Sequence, residues 1–72
     1  MWKVETYIVD DNDVETFEEE IFDSKNEAIE YIAGEHEKVL ANQNAVHVTF
    51  NGEELMYDEF HVSYTTKLVE VE

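Results

Sequence analysis

Seventy-two residues carrying nineteen Asp and Glu against four Lys, with no Arg, give the chain a formal charge of -15. A charge of that size attracts basic surfaces and repels nucleic acid and anionic membrane, so direct binding to either is not expected. The length fits one small domain of limited core, the 43% apolar and 12% aromatic content is too high for an acidic disordered tail, and the lack of cysteine leaves neither a disulfide framework nor a thiolate metal site.

Trp2 to Val9 alternates with period two and is rich in β-branched and aromatic residues, which predicts a strand. Met1-Trp2-Lys3-Val4-Glu5 leads straight into that alternation in place of an apolar signal segment, and a soluble, cytoplasmic protein is expected. Asp10-Asp11-Asn12-Asp13 supplies turn residues that bond their own backbone. From Val14 to Phe22 the extended pattern resumes, with Phe17, Glu19 and Ile21 on one side and Glu18, Glu20 and Phe22 on the other. These segments form a hairpin with an unusually acidic second strand.

Ser24 followed by Glu27 has the spacing of a capping box, so a helix is predicted over about 25–41. At about 100° per residue, Ala28, Ile29, Ile32, Ala33, His36, Val39 and Leu40 share one face, opposite Glu27, Glu30, Tyr31, Gly34 and Lys38. A break at Gly34 is the alternative, since glycine costs a helix roughly 1 kcal/mol relative to alanine. After Asn42-Gln43-Asn44, AVHVTF predicts a strand with Val46, Val48 and Phe50 on one side. Asn51-Gly52 is the strongest two-residue hairpin signal. A returning strand begins near Glu54, Asp58 and Glu59 mark a further turn or bulge, and residues 60–71 form a long last strand. The expected fold class is α+β: an antiparallel sheet of four to five strands, order β-β-α-β-β with an extra strand, and one helix packed on one face. Trp2, Tyr7, Met56, Tyr57, Phe60 and Tyr64 exceed what one covered face needs, so part of this surface is expected either at the rim of the core or on an open face that contacts a partner or a second copy.

Three kinds of chemistry fit poorly. Asp11, Asp13 and Glu15 take the first, third and fifth places of a calcium loop, but Thr16 stands where glycine is needed and Phe22 where the bidentate Glu belongs. His36, His47 and His61 match no common ligand spacing. Ser24 is better explained as a helix cap and Ser63 as an outward strand residue than as nucleophiles. No metal, no cofactor and no enzymatic activity are expected.

The carboxylates remain as a surface. Same-side residues of a strand lie about 6.6 Å apart, comparable with successive phosphates on a nucleic-acid strand. Glu18 and Glu20 fit that spacing, Asp10, Asp11, Asp13 and Glu15 extend the row around the turn, and Glu27, Glu30 and Tyr31 are secondary candidates on the helix. Small size, the β-β-α-β order, the absence of Cys and Pro, the acid-loaded DDNDVETFEEE hairpin and the strand-into-capped-helix segment IFDSKNEAIEYI together resemble the small acidic proteins with which phages and other mobile elements block host nucleic-acid enzymes, such as anti-restriction, anti-CRISPR and polymerase-inhibiting proteins. Such inhibitors have many unrelated folds, so the resemblance implies a mode of action and assigns no residue by position. It implies a partner with a basic nucleic-acid-binding surface. The alternative expectation is an acidic homodimeric interaction module without mimicry.

Overall fold

The computed structural model describes residues 1–71. Among them are five strands and one helix: β1 (Trp2–Val9), β2 (Glu15–Phe22), α1 (Lys25–Leu40), β3 (Ala45–Phe50), β4 (Glu54–Glu59) and β5 (Val62–Glu70). The strands form one antiparallel sheet in the order β2-β1-β5-β4-β3, with the first and last strands paired near its middle. This is the expected α+β class, with β5 as the additional strand.

α1 begins at Ser24, whose hydroxyl accepts the Glu27 N–H at 3.2 Å, and it runs unbroken through Gly34. Its start lies beside Trp2, with Lys25 Nζ 5.2 Å from the ring centre, and just past its end Asn42 donates to Glu59. Trp2 opens β1, whereas Glu59 closes β4 at the other end of the sheet. The helix therefore crosses the sheet on a diagonal. Under it Val4, Ala28, Ile32, Val39 and Leu55 are buried, with Trp2, Phe22, Tyr31, Ala45, Phe50, Tyr57 and Leu68 packed around them. Thr66 is buried as well, its hydroxyl 3.4 Å from that of Thr6.

Several local expectations are corrected. Leu40, placed on the apolar helix face, is 66% exposed, because about 100° of helical turn carries it away from its buried neighbour Val39. Tyr31, placed opposite that face, is half-buried with its ring 5.3 Å from Phe22, so the buried arc is rotated toward β2. In β3 the register slips between Val46 and Thr49, and His47 there has φ 56°. One extra residue flips the alternation, so Val46 pairs with Asp58 on the open side while Phe50 pairs with Leu55 on the core side.

The turns also differ from expectation. Asn51-Gly52 does open a hairpin, but the loop extends through Glu53, because Asn51 Oδ1 accepts the N–H groups of Glu53 at 3.0 Å and Glu54 at 2.8 Å. Asp58 and Glu59 belong to β4, and the following turn is Phe60-His61, between the paired residues Glu59 and Val62. Both turn residues have positive φ, 50° and 66°, the geometry of a type I′ loop built from residues that disfavour it. Of the surplus aromatic and sulfur-containing residues, Trp2, Tyr57 and Tyr64 lie on the helix side, Tyr7 and Met56 on the open side, and Phe60 is 71% exposed at the turn.

Candidate functional site

β2 is an edge strand paired only with β1, and every residue from Glu15 to Ile21 is exposed. The register divides its acids between two faces. Glu20 pairs with Val4, whose side chain is buried under α1, so Glu20 and Glu18 point to the helix side and Glu15 and Glu19 to the open side. In the preceding turn the Asp10 carboxylate accepts the N–H groups of Asn12 at 2.9 Å and Val14 at 3.0 Å. That bond pattern makes Asp10 the residue that shapes the loop, while Asp11 and Asp13 project into solvent, Asp13 with φ 61°.

The two faces are electrostatically unlike. On the open face Glu5 and Glu19 are direct cross-strand neighbours, and Lys3 Nζ lies between them, 3.1 Å from Glu5 and 3.4 Å from Glu19. The Lys3 hydrogen bond holds the Glu5 carboxyl below its ordinary pKa, and the Glu5 bond holds Lys3 above its own. Tyr7 donates to Glu5 at 3.0 Å, which raises the phenol's pKa, and Lys67 Nζ stands 5.1 Å from the Tyr7 ring centre. Phe17 packs on Tyr7 at 5.1 Å between ring centres. Lys3 and Lys67 thus offset part of the charge of this face, which stays acidic through Glu5, Glu15 and Glu19.

No such partner reaches the helix side. Lys25 is engaged with Glu53 at 3.7 Å and Lys38 with Glu35 at 3.4 Å, and among the described residues no ion pair includes Glu18 or Glu20. Because α1 runs diagonally, it leaves the corner between itself and the β1–β2 hairpin uncovered. Two adjoining recesses open there. One, of about 430 Å³, is bounded by Val4, Thr6, Glu18, Glu20 and Tyr31. The other, of about 180 Å³, shares Thr6, Glu18 and Tyr31 and continues to Glu35, Tyr57 and Tyr64. Burial, followed by the charges of Glu35, Glu20 and Glu18, pushes the Tyr31 phenol's pKa up. Burial also raises that of Tyr57, with Tyr64, Glu59 and Glu35 adding to it.

The structure thus brings Glu18, Glu20 and Tyr31 together at one groove. Asp11, Asp13 and Glu15 lie along the same hairpin at its turn, whereas Glu27 and Glu30 are exposed on α1 and do not line the groove. Glu35, Tyr57 and Tyr64 are added to the sequence-based set. The Tyr31–Glu35 spacing of four helical residues carries a signal for one of them. Tyr57 and Tyr64 become partners only once the turn is centred on Phe60-His61, and their rings then stack with centres 4.7 Å apart and planes 7° from parallel.

The three histidines are not gathered at one place. His36 stacks on Phe50 with ring centres 4.1 Å apart, while His47 and His61 border an open recess near Asp58 and Phe60. Among the described residues no three His, Asp or Glu side chains are arranged to hold a metal ion, and no helix is long and apolar enough to cross a membrane. Compared with protein-family models, with curated proteins and with solved structures, the chain matches none.

Proposed function

We propose that the protein is a non-enzymatic acidic binding protein that occupies the basic nucleic-acid-binding surface of a host or defence protein in the cytoplasm, presenting carboxylates where that surface expects phosphates. The observation that supports it most directly is the state of Glu18 and Glu20. They stand on the same side of an exposed edge strand, with spacing comparable to phosphates, and none of the four lysines pairs with them. On the other face of the same hairpin Glu5 and Glu19 share Lys3. Asp11, Asp13 and Glu15 continue the charge toward the turn.

The test is charge reversal. Glu18→Lys with Glu20→Lys should weaken capture of the partner from a host lysate far more than Glu70→Lys, on an exposed site at the end of β5, which should leave it largely intact. Nucleic acid should displace the protein from its partner. Equal sensitivity of the two sites, or simultaneous binding of protein and nucleic acid, would remove the mimicry reading.

A homodimeric acidic module is the second reading, favoured by Phe17 and Ile21, which are 48% and 51% exposed on the open face of β2. Sedimentation distinguishes it: a dimer at micromolar concentration that Phe17→Asp dissociates supports this reading, and a monomer under those conditions counts against it.

A further inference from the structure

The recess beneath α1 holds more than the acidic edge requires. At about 100° per residue, Glu35 falls about 20° outside the arc of α1 that turns Ala28, Ile32 and Val39 toward the sheet, on the side of Tyr31. The Glu35 side chain is 35% exposed, so its carboxylate is met by water at the mouth of the recess and is open to a ligand there. Its one ion pair among the described residues is with Lys38, whose side chain is 77% exposed, and a surface pair of that kind contributes little. The sheet below is not filled but open, a space of about 180 Å³ bordered by the Tyr57–Tyr64 stack, by Tyr31 and by Glu18 on the hairpin.

These features together select one kind of occupant. Aromatic rings attract cations across their faces, carboxylates from α1 and from β2 exclude an anion, and Ile8 and Leu55 add apolar lining that suits a weakly hydrated cation with an apolar stem. Between the two cationic side chains, the guanidinium suits the site better. It is planar, stacks on aromatic faces, is less strongly hydrated than an ammonium, and offers donors to carboxylates on both sides at once. A cavity of about 150 Å³ holds a benzene ring, so the recess has room for a guanidinium and part of its stem.

We propose that this recess seats a single arginine side chain of the protein's basic partner, with the guanidinium bonded by Glu18 and Glu35 and lying against the tyrosines. The inference rests on the reading that the partner is basic and adds a point of anchorage to a general field. Anchors of this sort carry much of the energy of an interface, and Arg and Tyr are prominent among them.

The experiment needs no identified partner. The blocked tripeptide acetyl-Gly-Arg-Gly-amide, with its lysine and citrulline counterparts, is titrated into protein carrying isotope labels in the backbone amides and the tyrosine rings and followed by NMR. The arginine peptide should shift Tyr31, Tyr57 and Tyr64 saturably, the lysine peptide should bind about fivefold more weakly, and the neutral citrulline peptide should not bind. Glu35→Gln should weaken the arginine peptide by a similar factor. Equal binding of arginine and lysine peptides, shifts that never saturate, or shifts confined to the Glu15–Glu20 backbone would overturn the proposal, and the wild-type comparison decides it even if the Glu35 variant alters the fold. Loss of this subsite and loss of the basic-partner reading are separable, because the latter is judged by the Glu18 and Glu20 reversals on partner capture.

Discussion

Ile32 is wholly buried at the centre of a cluster with only four other buried apolar side chains among the described residues, Val4, Ala28, Val39 and Leu55. So small a core tolerates little loss. Ile32→Ala should cost about 2 to 5 kcal/mol, whereas His36→Leu, at a half-buried position stacked on Phe50, replaces one packed side chain by another and should cost less than about 1.5 kcal/mol. Urea unfolding of the two variants checks both. Acid adds a second test at Lys3 and Glu5. The Glu5 carboxyl is lowered in the folded state by the Lys3 hydrogen bond, so its contribution is present above the ordinary carboxylate pKa and is lost as pH falls through the lowered value. Lys3→Met should flatten that part of the acid-unfolding curve and leave Glu5 and Glu19 opposed without their cation. Ile32, Ala28 and Val39 were legible from the helical period alone. Tyr31 was not, because the centre of a buried arc depends on how the helix lies across the sheet. A diagonal crossing turned Tyr31 inward and left open space beside it.

At the scale of elements, the strands and helix announced themselves through period and capping, and the acidic hairpin folded as its alternation implied. The C-terminal connections did not. The bulge at His47 and the turn at Phe60-His61 use positive φ at residues that carry large side chains, so no Gly, Asn or Asp marked them. Asn51-Gly52, which did carry the mark, became a longer loop because the Asn51 side chain bonds two successive N–H groups. Bulky residues held in the left-handed region cost of order 1 to 3 kcal/mol each. Replacing Phe60 by Asn and His61 by Gly should therefore raise the thermal midpoint. An unchanged or lower midpoint would mean that Phe60 and His61 are held by contacts worth as much as the backbone strain.

For the molecule as a whole, one charge distribution imposes opposite salt dependences on folding and on binding. Two unit charges about 7 Å apart in water repel by about 0.6 kcal/mol, and a net charge of -15 on so short a chain multiplies such terms. The exposed β2 acids bring like charges together only when the chain is folded, so screening favours the folded state. Raising ionic strength from about 0.01 M to 0.15 M shortens the screening length from about 30 Å to 8 Å. The urea midpoint should rise over that range, urea being chosen because it is uncharged. Over the same range attraction to a basic partner is screened as well, so affinity for the captured protein should fall steeply. The Glu18→Lys and Glu20→Lys pair should reduce both slopes, since it removes charge from the strand where folding is opposed and binding is favoured. A variant that flattened the folding slope while leaving the salt dependence of binding intact would place the partner on another face, and the open sheet face with Phe17 and Ile21 would then be the surface to test.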